Sequence, residues 1–282
     1  MSIDPAGGQL ELERTPGFSR TGLPSHTGVV EPPVDYTPIA PRFERRYQEH
    51  DYSGVTQALR AFVAASTPEA SPLVLEVGAG TGHWLQVLRD STPSRTVGLD
   101  LSEAMLNVAR AAHPEQPLVR ARGEALPVAN GCFDAVICIN AVHHFANPEA
   151  FISEARRVLK PGGGLFIVGL DPHAGVDTWW LYDAFPDARD ADLRRYPSSS
   201  AIRNWMTQAG FEACGSEVVH RWTYDLTGEA LRTRGLLERS GTSQLLVIPD
   251  EAYARGVALI DAEPEAVRRT HLHLFATVGT AA

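Results

Sequence analysis

The sequence predicts a doubly wound α/β fold, and three observations point there. Short apolar runs alternate with amphipathic helical stretches from Ser53 to Leu170. The runs are continuously apolar, as strands covered on both faces should be. Glycine and proline close the segments at intervals that suit βαβ units and a parallel sheet.

The elements follow in order. Val55, Leu59, Phe62 and Val63 recur at helical spacing behind Ser53, a candidate N-cap. Leu73 to Val77 reads as a first strand ending in glycines, and Trp84, Leu85 and Leu88 suit the next helix. Thr96 to Leu99 is a second strand, and Ser102 can cap a helix carrying Met105, Leu106 and Ala109. Leu118 to Arg120 and Phe133 to Ile139 supply two more strands. Asn147 and Pro148 form a cap and first-position pair for a helix with Phe151, Ile152, Ala155, Val158 and Leu159 on one face. Leu165 to Leu170 is a fifth strand. Further on, a helix over Ser200 to Ala209 stops at Gly210, and Phe211 to Tyr224 and Thr270 to Val278 read as strands. Glu229 to Glu238 and Asp250 to Asp261 read as helices.

Composition narrows the function classes. The 282 residues carry 25 Lys+Arg against 34 Asp+Glu, a formal net charge of −9. That balance argues against nucleic acid or an anionic membrane as partner. No apolar run is long enough to span a bilayer. The opening MSIDPAGGQLELER lacks a basic segment followed by an apolar one, so no secretory signal is evident. Cys132, Cys138 and Cys214 show no metal spacing; they read as buried structural thiols in a reducing compartment, which places the protein in the cytoplasm. Residues 1–45 form a Pro/Gly-rich leader, flexible to about Val30, whose end could fold as an arm over a ligand with Tyr36 and Tyr47. Residues 46–282 form the main domain, with a cap insertion at about 228–262.

The sharpest motif is Leu75 to Gly82, LEVGAGTG, with glycines at Gly78, Gly80 and Gly82 behind Glu76. Glycine permits a sharp turn and close approach to a ligand, next to the free N–H groups of a helix start. A dinucleotide fingerprint would have glycine where this chain has His83, so the pattern points to another nucleoside. Asp100 follows Gly80 by twenty residues, at a strand end, where a carboxylate can accept both ribose hydroxyls.

With these motifs the chain resembles the class I S-adenosylmethionine (SAM)-dependent methyltransferases of the ubiquinone/menaquinone type. The stretches LVLEVGAGTGHW, VGLDLSEAMLNVAR, ARGEALPVANGCFDAVICINAVHHF and RVLKPGGGLFIVGL carry the resemblance, from Leu73 to Leu170. It implies a seven-stranded, mostly parallel sheet with an antiparallel last strand, helical cap elements, and methyl transfer from SAM to a small-molecule acceptor. It also implies that Glu76, Gly78, Ala79 and Gly80 line the methionine end of SAM. Asp100 would hold the ribose, with Leu101 and Met105 against the adenine. Arg122, Gly123 and Glu124 stand where relatives often place an adenine-contacting Asp-Ala pair and the following Glu, so the backbone of Gly123 can still serve while the side-chain acceptor is lost. Asn140 and Ala141 would touch the methionyl part, and His144, with His143 beside it, would lie near the transferred methyl as candidate bases.

Other residues carry weaker signals. Trp179, Trp180, Tyr182 and Phe185 follow the fifth strand and suit an aromatic wall for an apolar acceptor, or core packing. Arg189 to Arg195 reads as a solvated charged face. His271 and His273 share a strand face but have no carboxylate or cysteine at ligand spacing, which speaks against a metal site. Two rivals to methyl transfer remain: the same fold binding SAM for other chemistry, such as a cyclisation, and a non-enzymatic nucleoside-binding module.

Overall fold

A computed structural model of the chain describes residues 35–66 and 71–282. The expected flexible stretch to about Val30 lies outside them. Seven strands form one sheet: β1 (Leu73–Val77), β2 (Arg95–Asp100), β3 (Leu118–Arg120), β4 (Phe133–Ile139), β5 (Leu159–Leu170), β6 (Phe211–Thr227) and β7 (Val267–Ala281). Their order is β3-β2-β1-β4-β5-β7-β6. The pairs among β1 to β5 are parallel, and β7 inserts antiparallel between β5 and β6. This is the mostly parallel, doubly wound sheet that the alternation and the resemblance lead one to expect.

Burial on both faces explains why the strands carry apolar runs. Along β4, Val136 and Cys138 face one core with Phe151, Ile152, Ala155, Ile202 and Met206. Ala135, Ile137 and Ile139 face the other, with Val55, Leu59, Trp84 and Leu88. The period of two therefore sorts side chains to two helical layers instead of to core and water. The first core is covered by α5 (Pro148–Val158) and α8 (Ser199–Gln208), the second by α2 (Ser53–Ser66) and α3 (His83–Ser91). Between β2 and β3 runs α4 (Glu103–Ala112), which Ser102 caps through the Met105 N–H. Asn147 caps α5 through the Ala150 N–H with Pro148 in the first turn. At α2 the cap is not Ser53: its N–H and hydroxyl both donate to the Asp51 carboxylate, two residues upstream.

A third apolar cluster lies off the sheet. It is built from α6 (Trp180–Ala184) and α7 (Pro186–Arg195) after β5, and from α9 (Gly228–Thr233), α10 (Ser243–Leu246) and α11 (Asp250–Ala262) after β6. Trp180, Phe185, Leu231, Leu245 and Ile260 are its buried centre. The helix expected over Glu229 to Glu238 ends at Thr233, where Gly235 turns left-handed at φ +69°. Before α2, residues 35–44 and α1 (Arg45–Glu49) pack onto α3 through Tyr47, whose ring stacks on His83 at 3.5 Å.

Two readings of the sequence need correction. Of the three cysteines only Cys138 is buried; Cys132 is partly exposed just before β4, and Cys214 is partly exposed in the edge strand β6, within the register shift between Glu212 and Gly215. His273 does have a carboxylate neighbour: Asp177 accepts both its Nδ1–H, at 2.8 Å, and its backbone N–H. The loop after β5 supplies that aspartate from far away in sequence, so spacing could not reveal it. Among the described residues no cluster of His, Cys, Asp and Glu suited to a metal is present, and no helix is long and apolar enough to cross a membrane.

Candidate active site

The sheet order reverses between β1 and β4, and the crevice at their carboxyl ends is where an open α/β sheet binds ligands. A cavity of about 1010 Å³ occupies it. Its first half is the glycine loop after β1. Gly78, Gly80 and Gly82 all take positive φ, at +80°, +52° and +86°. A Cβ on Gly78 would stand 2.3 Å from the Ala141 Cβ, so this turn closes only with glycine. The Gly78 and Ala79 N–H groups donate to the Leu99 carbonyl, tying the loop to β2.

Glu76, at the end of β1, is 1% exposed, lines the cavity, and neither carboxylate oxygen has a hydrogen-bond partner among the described residues. Burial, then the nearby Asp100, pushes its carboxyl well above the usual range. An unmatched buried carboxylate of this kind calls for a donor from a ligand. Asp100 ends β2. Its Oδ2 accepts the Gly80 N–H at 2.8 Å and its Oδ1 the Ser102 N–H at 2.7 Å. Each oxygen keeps lone pairs, enough to receive a diol. Burial raises its pKa and the two N–H groups oppose that rise.

Leu101 is 43% exposed beside Asp100, an apolar side chain open to the cavity, and Met105 lies buried next to it. Gly123 sits close enough that a Cβ would press Val77 and Phe145 at 3.1–3.2 Å. Arg122 also lines the cavity, while Glu124 turns to the loop after β4 and accepts the Ala146 N–H at 2.7 Å. Asn140 takes φ +53°, a conformation uncommon for a side-chain-bearing residue, and Ala141 follows at the cavity wall. All the residues expected to meet SAM therefore converge on one cavity. They present what its parts require: an unpartnered acid for an ammonium, an acid at a sugar's reach, and apolar surface for a purine.

The other half of the cavity is bounded by Tyr36, Phe43, His143, His144, Tyr196 and Trp205. The Tyr36 hydroxyl is hydrogen-bonded to His144 Nε2. Burial, then the positive charges of Arg195 and Arg46, lowers the His144 imidazole to about 3, so it is neutral. Tyr36 is pushed up to about 12 by burial, so its hydroxyl keeps its proton and donates to Nε2. His143 is buried, stacks on Tyr196 at 3.8 Å, and is held well below the usual range by burial first and by His144 and Arg195 after it. Glu44 accepts from the Thr81 hydroxyl, fastening the segment that carries Tyr36 to the glycine loop.

For the aromatic run the structure decides between the two readings in favour of core packing, and it corrects the reading of the charged run after it. Trp179, Trp180, Tyr182 and Phe185 form no wall of this cavity; they pack in or against the off-sheet cluster. The run Arg189 to Arg195 is no solvated face either. Its helix buries Ala188, Ala191 and Asp192, and Arg195 reaches the cavity. The mixed charges hid this, because Asp192 and Arg195 neutralise each other out of water at 2.5 Å. Tyr196 and Trp205 carried no signal beyond being aromatic.

Comparison with known proteins agrees with the geometry. Residues 75–167 match the family model described as a methyltransferase domain. A ubiquinone/menaquinone biosynthesis C-methyltransferase, UbiE, of Acidiphilium cryptum is 29% identical over 54% of this chain and 71% of its own length. A structure assigned as a methyltransferase from Bacillus halodurans superposes with a TM-score of 0.55 at 25% identity, covering 80% of this chain and 99% of that one. The [4+2]-cyclase SpnF shares the fold with a TM-score of 0.55 at 18% identity, covering 87% and 93%. Over residues 75–167 the chain carries a methyltransferase domain, and the relatives and the fold around it are similar to those of S-adenosylmethionine-dependent methyltransferases.

Proposed function

We propose that the methyl acceptor is a small, partly apolar molecule seated between Tyr36, His144, Tyr196 and Trp205. The observation that carries this reading is continuity: one cavity runs from Glu76 and Asp100 to the Tyr36–His144 pair. When bound, SAM supplies a methyl group on a cationic sulfur, open to in-line displacement. Glu76 takes the ammonium, Asp100 the ribose, Leu101 and Met105 the adenine with the Gly123 backbone, and Asn140 and Ala141 border the methionyl chain. Arg122 and Glu124 shape the adenine end, Glu124 by holding the following loop in place.

The chain contributes mainly orientation, which can lower a barrier by ~7–11 kcal/mol when reacting atoms are held in line. His144 serves as a neutral hydrogen-bond acceptor that fixes Tyr36 and the acceptor. With its pKa at about 3 it is a poor general base, which favours an acceptor nucleophilic without one. His143 supports it from behind through the Tyr196 stack. The end of the leader serves as an arm over the site. The charge of −9 favours a small molecule over nucleic acid, and a cytoplasmic setting suits three unpaired cysteines.

Calorimetric titration with SAM, its demethylated product S-adenosylhomocysteine (SAH) and NAD tests the cofactor site. Asp100→Ala should lose at least tenfold in SAH affinity. SAH released during turnover separates methyl transfer from ring closure, and loss of turnover in Trp205→Ala with SAH affinity kept tests the acceptor's place. Equal turnover in that variant would sink the placement.

A further inference from the structure

Arg195 lines the cavity at the end of α7 beside the exposed Arg194, and its own side chain is only 8% exposed. Its Nη2 is committed to Asp192 Oδ1 at 2.5 Å. Asp192 is fully buried and also accepts the Tyr182 hydroxyl at 2.8 Å, so this acid is spoken for. The Arg195 Nε–H and Nη1–H groups are buried and have no acceptor among the described residues. A guanidinium cannot shed its proton to escape that position, so donors left over after its ion pair call for an anionic or strongly accepting group from outside. The guanidinium lies near the ring of Tyr196, 5.7 Å from its centre, at the acceptor end of the cavity.

The other acids on the cavity wall do not answer it. Glu76, Asp100, Glu103 and Glu124 belong to the nucleoside half, and exposed Asp35 binds the N–H of Thr37 in its own turn. We infer that the methyl acceptor carries an oxyanion, a carboxylate or a phosphate, which Arg195 holds through one of its unmatched donors, Nε–H or Nη1–H, while Asp192 fixes the guanidinium at Nη2. This rests on the acceptor lying at this end of the cavity. The Asp192–Arg195 pair is neutral as a unit, so an entering anion meets oriented donors without a surplus charge buried in its absence. Arg195 is then a specificity residue: it selects the charged acid over a neutral isostere, because the isostere leaves the guanidinium unmatched.

The test uses the full chain loaded with SAH. Benzoate, salicylate and hexanoate are titrated against their neutral amides by calorimetry, and phenyl phosphate against phenol. At least one anion is expected to bind tenfold more tightly than its neutral partner, and the winning arm tells carboxylate from phosphate. That preference should fall below twofold in Arg195→Gln, and equally in the double variant Asp192→Asn/Arg195→Gln, which leaves no unpaired charge to endanger folding. SAH affinity should stay within twofold in both. Equal binding of anions and neutral partners by the wild type overturns the inference, and so does a preference that survives in the variants. A fall in SAH affinity overturns it as well, by moving Arg195 to the cofactor. A wild type that takes no SAH would instead refute the cofactor site beneath it.

Discussion

The Tyr36 hydroxyl meets His144 Nε2 across 108 residues of sequence, joining the end of the leader to the loop after β4. Removing that hydroxyl in Tyr36→Phe keeps the ring and its edge contact with His144 at 5.1 Å. One hydrogen bond worth ~1 kcal/mol corresponds to about a fivefold change in rate. SAM turnover should fall by about that much while SAH affinity, read by calorimetry, stays unchanged. A turnover equal to wild type would remove the pair from the reaction.

His144 should not titrate near neutrality. Burial and the neighbouring arginines hold it at about 3, so the long-range nitrogen spectrum of a 15N-labelled sample should show a neutral imidazole from pH 8 down to pH 5. A midpoint near 6.5 would contradict the buried geometry.

Glu76 combines a stability cost with a binding role. Its folded pKa is raised well above the 4.5 of an unperturbed side chain. The folded state therefore holds the proton more tightly than the unfolded one. Its contribution is fully present below pH 4.5 and is lost as pH rises through the folded value. Glu76→Gln should raise the melting temperature of the ligand-free protein at pH 7.5 by ~2 °C or more, with no gain at pH 4.5. The same change should weaken SAH at least tenfold. In the wild type, SAH binding should release a proton, seen as a dependence of the calorimetric heat on buffer ionisation. A Gln variant that melts lower at pH 7.5 would show that the carboxylate is matched after all.

Gly78→Ala tests the loop. The left-handed backbone costs an alanine ~1–2 kcal/mol, and its Cβ would lie 2.3 Å from that of Ala141. SAH affinity should drop by at least a hundredfold, with a lower melting temperature. Near-normal binding would mean that the β1 turn can open without loss.

Asp192→Ala removes one member of a buried ion pair and strands Arg195. Losses of ~3–5 kcal/mol are usual for such a change, measured by urea denaturation. Asp192→Asn/Arg195→Gln should recover a large part of it. A single variant as stable as wild type would mean that Arg195 reaches water.

The core and the nucleoside half of the site were legible because they are written locally. Strands β1, β2, β4 and β5 announce themselves as apolar runs, since each is covered on both faces. Gly78 and Asp100 are placed by the short path from strand end to loop, so spacing alone ranks them. The acceptor half was legible only in part. Tyr36 and His144 stood out as an arm residue and a candidate base, but Arg195, Tyr196 and Trp205 come from other stretches and each looks ordinary where it stands. Arg195 shows this most sharply: beside Asp190, Asp192 and Arg194 it reads as surface charge, and only the packing of α7 takes it out of water.

The sequence by itself determined the sheet, the glycine turn and the acid at the second strand's end, because backbone sterics and apolar periodicity act over a few residues. Only the tertiary structure decided which aromatic and charged side chains close the cavity. Their roles arise from desolvation and, for Tyr36, from a partner 108 residues away, and neither quantity exists in a stretch of chain read alone.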